Sequence, residues 1–495
     1  MRKFTFIDLF AGIGGFHLGL ERNGGECLAF SEVAKDAISA YCANHSLESY
    51  NNLGDIRKIK SLPSHDLLTA GVPCQSWSIA GKNLGFEDDR GQLWNDTIYL
   101  LNQSRPKAFI FENVKGLSDP RNKKALDFIL RRIKECGYHG KAYVLNSHDY
   151  GVLQNRIRVY IVGFRNIEDF RKFRIPGSNV SSEKLYQVLD DIDVEEVDKQ
   201  KFNSTDIFGE FVPMARTKFQ KTDEVNDFFL FNDIRNGHST IHSWDLIDNI
   251  SEEEEMLCYT ILRNRRKKKF GVRDGNPLSF EQLKSIDSSI KKSALKSLVR
   301  KGVLKEIIYS YNVLSQEKRS LSPQEDIVMS LNNDGQIHLD SVYKQSKSLV
   351  ANGVRFSSVL SELSEKEIIS PMEIRYEFKN SKISSGINGI NRIYLPQSEV
   401  FSTLVASDTN DFVATRNVEF SKLENYKNAF IEQIYKQGNY RKISKVEACR
   451  IQGFPSDFRL QAGRSRWMKL LGNSVSVPVI QALGKAIVET GVFDS

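Results

Sequence analysis

One stretch organises the chain, Gly71-Val72-Pro73-Cys74-Gln75-Ser76-Trp77-Ser78. It follows the apolar run Leu67-Leu68-Thr69-Ala70, which predicts a buried strand that ends where glycine and proline force a turn. Pro73 fixes its own φ angle and restricts Val72, so the backbone before Cys74 is stiff. A thiol on a rigid strand end is suited to act as a nucleophile, whereas an arbitrary cysteine is more often a small buried hydrophobe.

The composition is that of an ordinary globular protein with a mild positive charge. The 495 residues suffice for about two to three domains, and 40% of them are hydrophobic. Lys and Arg outnumber Asp and Glu by 69 to 62, and the net charge of +7 is compatible with a polyanionic partner without requiring one. The six cysteines include no CxxC pair, which argues against a disulfide framework and against a zinc site. We expect no metal, no signal peptide and no membrane span, and hence a cytoplasmic protein.

The N-terminal segment has the strand, turn and helix order with which α/β sheets bind nucleotide-like ligands. Phe4 to Phe10 predicts a strand, Ala11-Gly12-Ile13-Gly14-Gly15 a tight turn, and Phe16 to Asn23 a helix. The glycines alone are a weak signal, and His17 occupies the third glycine position of the dinucleotide fingerprint. An NAD-dependent dehydrogenase is therefore disfavoured.

Three carboxylates follow this pattern and indicate the chemistry of the ligand. Asp8, near the strand end, would repel a pyrophosphate and suit a cationic ligand. Glu32 ends the next strand, 20 residues after Gly12, where a carboxylate suits a ribose diol. Asp55 lies in a further short turn, and for Glu32 and Asp55 the alternative is a surface carboxylate. A ribosylated cation points to S-adenosylmethionine rather than to NAD.

Three further features lie downstream of Cys74. Ile79 to Gly91 has few apolar anchors and predicts a mobile loop, either a lid or a solvated surface loop. Lys107 to Phe111 predicts a strand that delivers Glu112, a carboxylate that is costly to bury unless it is paired or used. Arg156 and Arg158 alternate, so we expect both on one side of a strand, facing a phosphate, a base edge or surface ion pairs.

Taken in this order, the motifs resemble those of the DNA (cytosine-5) methyltransferases of prokaryotic restriction–modification systems. The match covers residues 1 to 165 and 440 to 490, and it rests on Phe6 to Phe16, Glu32, Asp55, Gly71 to Ser78, Glu112-Asn113-Val114, Gln154 to Arg158, Glu447 to Pro455, and Leu471 to Val475. The resemblance implies an α/β fold, the Rossmann-like, mixed and mostly parallel sheet of S-adenosylmethionine-dependent methyltransferases.

The resemblance also implies a reaction and its catalytic residues. Cys74 would add to carbon 6 of a cytosine flipped out of duplex DNA, so that carbon 5 can take the methyl group of S-adenosylmethionine. Glu112 would assist at ring nitrogen 3, and Arg158 would hold the ring carbonyl with Arg156 close by. The loop from Ser76 to Gly91 would close behind the base, and the residues expected to contact DNA are Gln75, Ser78, Arg90 and Thr403.

The cofactor site implied by the family draws on both ends of the chain. Glu32 would bind the ribose, and the turn at Asp55 and Ile56 would approach the adenine. The full set of cofactor-binding residues is Asp8, Phe10, Gly12, Gly14, Glu32, Asp55, Ile56, Pro73, Asn473 and Val475. Val33 departs from the aromatic that many relatives carry, so Phe10 is expected to contribute more of the adenine contact.

The middle of the chain, residues 166–440, is predicted to be an inserted α+β target recognition lobe between catalytic segments 1–165 and 441–495. Within it, segment 275–370 indicates a winged helix, with helices at Leu278 to Ile286 and Ile290 to Arg300. A related ending at Val359 to Ile369 suggests a degenerate repeat. The alternatives for this segment are a helix in the DNA groove and a spacer or dimerisation unit. The basic run Arg263 to Lys269 suits either phosphate contacts or a solvated helix end.

The sequence therefore predicts a monomeric enzyme that methylates a short duplex DNA site, beside a restriction endonuclease acting on the same site. Two alternatives remain at this point, an RNA cytosine-5 methyltransferase and a catalytically silent DNA-binding regulator. The presence of Cys74, Glu112 and Arg158 argues against the silent regulator, and the large middle lobe favours DNA over RNA.

Overall fold

A computed structural model describes residues 4–45, 47–73, 92–178, 183–192, 241–273, 275–314, 321–342, 356–379, 390–419 and 425–494. The described residues fall into two compact units, the first formed by 4–192 and 391–494 and the second by 241–390. This division differs from the predicted lobe at 166–440, because the segments on both sides of the second unit pack into the first.

The strands form three sheets within the described ranges. Their bounds are β1 Phe4–Leu9, β2 Gly25–Ser31, β3 Leu67–Gly71, β4 Ala108–Val114, β5 His139–Asn146, β6 Ile157–Phe164, β7 Leu278–Ser279, β8 Leu304–Val313, β9 Gln336–His338, β10 Ile369–Phe378, β11 Arg392–Tyr394, β12 Asp411–Ala414 and β13 Tyr440–Arg441. The sheet orders are β2-β1-β3-β4-β6-β5, β7-β10-β8-β9 and β11-β12-β13.

The helices lie between these strands in an alternating order typical of α/β proteins. Their bounds are α1 Gly15–Glu21, α2 Lys35–Asn44, α3 Leu93–Ser104, α4 Lys123–Glu135, α5 Ile167–Lys172, α6 Glu252–Asn264, α7 Phe280–Ile286, α8 Lys292–Arg300, α9 Pro323–Met329, α10 Phe356–Glu365, α11 Tyr426–Phe430, α12 Lys445–Gln452, α13 Arg464–Asn473 and α14 Val477–Val488.

The six-stranded sheet of the first unit is mixed and mostly parallel, as predicted. Strands β1 to β4 run parallel, and β6 pairs antiparallel with both β4 and β5. Its central strands are near-continuous apolar runs, as expected for strands buried on both faces. The carboxyl ends of β1, β2, β3 and β4 therefore meet at one edge, where α/β proteins bind ligands.

Helices α1 and α14 bring the C-terminal segment onto this sheet. Gly19 of α1 lies so close to Ile480 of α14 that an added Cβ would come 2.7 Å from the Cβ of Ile480. Segment Arg464–Val488 is long and apolar enough for a membrane span, but it consists of two separate helices. Because Ile480, Leu483 and Ile487 of α14 are fully buried in the protein core, we assign it to the core.

The second unit contains an internal repeat. The order α6, β7, α7, α8, β8 recurs as α9, β9, α10, β10, with residues 343–355 outside the described ranges. The predicted helices at 278–286 and 290–300 are confirmed as α7 and α8. The strands do not form a separate wing, because β8 pairs with β10 and β9 while β7 pairs with β10. Each repeat thus completes the sheet of the other.

Candidate functional site

The ends of β3 and β4 hold the segment that leads to Cys74. Gly71 pairs with Glu112 in the parallel register, and the Nδ2 of buried Asn113 donates to the carbonyl of Val72 over 3.1 Å. Pro73 follows Val72 directly and precedes Cys74 in the sequence. Four predicted residues lie outside the described ranges, namely Cys74, Gln75, Ser78 and Arg90.

Glu112 and Arg158 form an ion pair at this strand edge. The Nε of Arg158 lies 3.1 Å from the Oε1 of Glu112, and the two side chains are only 14% and 12% exposed. Burial raises the pKa of the Glu112 carboxyl, while the charges of Arg158 and then Arg156 act in the opposite direction. A buried carboxyl with a raised pKa is better suited to donate a proton than an exposed one.

Tyr160 is a neighbour of this pair that the sequence analysis missed. It lies directly across from Glu112 in the antiparallel register of β4 and β6. Its hydroxyl is buried and has no hydrogen-bond partner among the described residues. Burial raises the pKa of this hydroxyl, and Glu112 adds to the effect. The alternation Arg156, Arg158, Tyr160 was the available signal, since alternate strand residues share a face.

Arg156, predicted to lie close to Arg158 as a catalytic residue, is held by backbone carbonyls, and its catalytic role stays a prediction. It is 2% exposed, and its guanidinium donates to the backbone carbonyls of Leu404, Gly472 and Ser474. The guanidinium thereby joins the start of β6 to the C-terminal segment. Its influence on Glu112 is electrostatic, whereas Arg158 makes the contact.

Replacement of Arg156 by Met is expected to destabilise the first unit by about 3 kcal/mol or more, because three buried carbonyls would be left without a charged donor. Urea unfolding measures this change. Arg131→Met, at a 65% exposed arginine of α4, is the matched control and should stay within about 0.5 kcal/mol of wild type. An Arg156→Met protein of unchanged stability but without activity would instead favour a catalytic role.

A second set of buried hydrogen bonds joins the segment before β6 to the C-terminal segment. The Nε2 of Gln154 donates to the Oε1 of Gln452 over 2.6 Å, and the Nε2 of Gln452 donates to the carbonyl of Ser474 over 3.2 Å. Both glutamine side chains are buried, so their amide N–H groups need such acceptors inside the protein. Gln452 belongs to a motif quoted for the family, but its structural role was not predicted.

Thr403, a predicted DNA contact, is held within the protein. It was expected to contact DNA, but the hydroxyl of this half-buried residue donates to the carbonyl of Asn155. The backbone of the same segment contacts this region again, since the N–H of Asn155 donates to the carbonyl of Phe401 over 3.0 Å. Thr403 thus anchors its segment to the residues before β6, and its donor is already used.

The glycine turn after β1 is built around Glu32. One carboxylate oxygen accepts the N–H of Gly12 over 2.9 Å, and the other accepts the N–H groups of Val33 and Ala34, each over 2.8 Å. Gly12 has a φ of 56°, and an added Cβ there would meet nothing within 4 Å. The turn therefore leaves open space beside an anchored carboxylate.

Phe10 and Gly14 complete the backbone of this turn. Phe10 adopts a φ of 52°, which is uncommon for a residue with a Cβ, and Gly14 has a φ of 88°. An added Cβ at Gly14 would come 2.0 Å from the Nε2 of His45, so no larger residue fits there. Strain of this kind is most often found at ligand sites.

The C-terminal segment meets this turn at Gly15. An added Cβ on Gly15 would lie 2.7 Å from the Cγ2 of Val475 and 2.9 Å from the Oγ of Ser474. Val475 is buried at this contact, whereas Asn473 is exposed. The structure therefore brings the two predicted segments together, although they are more than 450 residues apart in the sequence.

Asp55 and Ile56 lie in a turn that is joined to Glu32 by hydrogen bonds to the side chain of Asn52. The Oδ1 of Asn52 accepts the N–H groups of Glu32 and Gly54, each over 3.0 Å. The Asp55 carboxylate accepts hydrogen bonds from Arg57, which lower its pKa, and Ile56 is buried. Asn52 is a further residue that the motif analysis did not single out.

Asp8 does not present a charge to a ligand, which corrects the reason given for including it. It is 0% exposed in the middle of the sheet, where its Oδ1 accepts from the hydroxyl of Thr69 over 2.9 Å. Burial raises the pKa of this carboxyl to about 8, so the group is largely protonated at neutral pH.

The stability of the first unit should therefore depend on Asp8 in a defined pH range. Unfolding returns the Asp8 pKa from about 8 to its ordinary value of 3.8, so unfolding releases a proton between these values. The free energy of unfolding falls as pH rises through this range, by up to about 1.4 kcal/mol per pH unit. Urea unfolding of wild type and Asp8→Asn across this range should show this slope in the difference between the two proteins, because all other titrating groups are common to both. Parallel pH curves would contradict the assignment.

Among the described residues, no group of three or more His, Cys, Asp or Glu side chains is arranged to hold a metal ion. The described part of the site thus consists of a buried acid beside an arginine, the stiff segment before Cys74, and a glycine turn with an anchored carboxylate. This arrangement can donate a proton to a polar ring and can hold a ligand with hydroxyl groups.

Comparison with known proteins gives consistent matches over the whole chain. The family model described as C-5 cytosine-specific DNA methylase matches residues 4–489. The chain is 40% identical to Type II methyltransferase M.HgiBI of Herpetosiphon aurantiacus over 496 residues, covering 100% of this chain and 99% of that protein. It is 29% identical to Type II methyltransferase M.BanI of Aneurinibacillus aneurinilyticus, covering 99% and 97% of the two chains.

Proposed function

Because the chain belongs to the C-5 cytosine-specific DNA methylases, we propose that it methylates carbon 5 of a flipped-out cytosine through a covalent adduct with Cys74. The enzyme is a DNA cytosine-5 methyltransferase of the Type II restriction–modification class. The covalent adduct, base flipping and the use of S-adenosylmethionine are the parts that this proposal adds.

The observation that carries the proposal is the Glu112–Arg158 pair at the strand edge that also holds Val72. A cytosine ring accepts a nucleophile at carbon 6 only if charge that develops on the ring is relieved at nitrogen 3. Burial raises the pKa of Glu112, which favours proton donation to this nitrogen. Arg158, held by Glu112, can then donate to the neighbouring ring carbonyl.

The proposed reaction balances in three steps. The Cys74 thiolate forms a bond to carbon 6, and the double bond moves from carbons 5 and 6 to carbons 4 and 5. The electron pair of the carbon 4–nitrogen 3 double bond moves to nitrogen 3, which takes the proton of Glu112. Carbon 5 then forms a bond to the methyl group, whose bond to the sulfonium sulfur breaks, and the sulfur keeps the electron pair as a neutral thioether. Loss of the carbon 5 proton to a base restores the double bond, expels the Cys74 thiolate and returns the nitrogen 3 proton to Glu112. A stacked cytosine cannot take part, so the base must leave the helix.

The residues around the glycine turn fit the proposed cofactor. When bound, S-adenosylmethionine supplies an electrophilic methyl group on a sulfonium. Glu32 is fixed by three backbone N–H groups and keeps acceptor capacity for ribose hydroxyls. The open space over Gly12 lets a ligand approach the backbone, and Phe10 and Val475 supply apolar surface beside the same turn. We keep Phe10, Gly12, Gly14, Glu32, Asp55, Ile56, Pro73, Asn473 and Val475 as proposed cofactor-binding residues.

We further propose that the second unit contributes to target recognition, and that the enzyme acts as a monomer in the cytoplasm beside a restriction endonuclease for the same site. The Type II names of the relatives support the restriction–modification part of this proposal. Gln75, Ser78 and Arg90 remain proposed DNA contacts near Cys74.

Expression of the chain in a methylation-free bacterial host, followed by bisulfite sequencing of the host DNA, tests the function. The proposal predicts 5-methylcytosine at one short recurrent sequence. A genome without marks in cells that contain folded enzyme would contradict it, and transfer to RNA alone would favour the RNA methyltransferase alternative.

A further inference from the structure

The two repeats of the second unit share the order of their elements, and the equivalence is residue by residue in strands β8 and β10 and in the helix and turn before each. The first repeat is defined as residues 251–313 and the second as residues 322–378. Strands β8 and β10 are offset by 65 residues, and their register pairs Leu304 with Phe378 and Val313 with Ile369. The first residue of each strand thus faces the last residue of the other, as an approximate two-fold axis requires.

An ion pair and a turn recur at the same places in both repeats. Lys301 lies 2.6 Å from the carboxylate of Glu254, and Lys366 lies 2.7 Å from that of Glu325. Both glutamates belong to capping boxes that begin helices α6 and α9. The residue after each lysine, Gly302 or Glu367, has a positive φ angle, of 75° or 55°. Glu367 adopts the left-handed conformation although it is not glycine. The second repeat therefore has the same turn conformation as the first.

Helices α8 and α10 are equivalent on their buried faces. The same 65-residue offset relates the three buried positions of each helix, which are Ala294, Leu295 and Leu298 in α8 and Val359, Leu360 and Leu363 in α10. Both faces pack toward the shared sheet in the same way. Packing in the core therefore accounts for the buried residues of both helices.

The outer faces differ strongly in charge. The exposed residues Lys292, Lys296 and Arg300 of α8 correspond to the exposed residues Ser357, Ser361 and Glu365 of α10. In α8 these residues are four apart, so they form one stripe with about 6 Å between successive positions along the helix axis. None of the three has an ion-pair or hydrogen-bond partner among the described residues, whereas the adjacent Lys291 lies 3.4 Å from Glu253.

We infer that the outer face of α8, with Lys292, Lys296 and Arg300, binds the phosphate backbone of duplex DNA, and that the equivalent face of α10 does not. Three cations on one stripe, without ion-pair partners among the described residues, can neutralise phosphates along one DNA strand. Most of the binding free energy of such contacts comes from the counterions that the DNA releases. The second repeat supplies strands to the sheet without a positively charged stripe. This inference rests on the proposed function for its DNA partner and deepens it by assigning a surface.

The test replaces the α8 residues by their counterparts from α10, giving Lys292→Ser/Lys296→Ser/Arg300→Glu in the full-length chain. Binding to a labelled mixed-sequence DNA duplex is measured at several KCl concentrations. The dependence of log Kd on log salt should become shallower by about 0.9 for each phosphate that the variant no longer neutralises, up to about 2.7 in all. At low salt, Kd should rise by about tenfold or more.

The control makes the same change in charge elsewhere, with Lys123→Ser/Lys124→Ser/Lys134→Glu on the exposed face of α4. An unchanged salt dependence in the α8 variant, or an equal change in the α4 variant, would overturn the inference. If the triple α8 variant fails to fold, the milder Lys292→Gln/Lys296→Gln variant decides the question, with a slope shallower by up to about 1.8. Methyl transfer by the wild-type preparation separates the two claims, because its absence would defeat the proposed function whatever the salt dependence.

Discussion

Substitution of Cys74 by Ser is expected to lower kcat/KM for methyl transfer by at least about 10⁴-fold. Removing the nucleophile of a covalent mechanism typically costs this much or more, because the remaining residues act only through the adduct. A hydroxyl has nearly the same size as a thiol but is a much weaker nucleophile at neutral pH. The measurement is transfer of labelled methyl groups to DNA under single-turnover conditions.

Binding distinguishes a missing nucleophile from a damaged fold. The Cys74→Ser protein should bind duplex DNA within about threefold of wild type, since a change of one atom alters little of the interface. Cys136→Ser provides the matched control at a half-buried cysteine just after α4 and should retain wild-type rates. Activity within tenfold of wild type in the Cys74→Ser protein would remove Cys74 from the mechanism.

The second large effect is expected at Glu112, whose replacement by Gln should lower kcat by between about 10² and about 10⁴-fold. This is the usual contribution of a positioned general acid. Gln keeps the shape of the side chain and can still accept from Arg158, but it cannot deliver a proton. The DNA dissociation constant should change little, because the effect is confined to the transition state.

Glu135→Gln, at a 52% exposed glutamate that ends α4, is the control for Glu112→Gln and should behave as wild type. Rapid-quench kinetics separates the chemical step from DNA binding for both variants. A Glu112→Gln enzyme with normal kcat and a raised KM would show that Glu112 only positions the base, and the proton would then come from another group.

The sequence predicted the catalytic sheet well because its motifs lie at strand ends. Apolar runs fix β1, β3 and β4, and Gly71, Glu112 and Arg158 follow from where those runs stop or alternate. The approach of the C-terminal segment at Val475 to the glycine turn was predicted through the family resemblance alone. No local pattern reports a contact between segments so far apart in the chain.

Arg156, Thr403 and Asp8 show why individual side chains were harder to predict. Alternation predicted Arg156 and Arg158 on one side, but it could not indicate that carbonyls of Leu404 and of the C-terminal segment contact Arg156. Thr403 is engaged by a carbonyl that precedes β6. Asp8 lies between two paired strands, which bury its carboxyl despite its position near a ligand-facing edge. In each case, segments that are distant in the sequence determine the surroundings of the side chain.

The second unit illustrates the same limit at the level of topology. Helices α7 and α8 and the recurrence of their pattern were visible in the sequence, because buried leucines repeat at helical spacing. The exchange of β7 and β9 between the repeats was not visible, since β-strand pairing depends on partners that are distant in sequence.

The central claim, a covalent adduct between Cys74 and carbon 6 of cytosine, is tested most directly by trapping it. A duplex in which fluorine replaces the carbon 5 hydrogen of the target cytosine blocks the final elimination, because no proton can leave from that carbon. The account predicts a protein–DNA complex that survives denaturation, forms only with S-adenosylmethionine present, and carries the DNA on the peptide that contains Cys74. Attachment at another residue, or no stable complex from an enzyme that methylates the unmodified duplex, would contradict it.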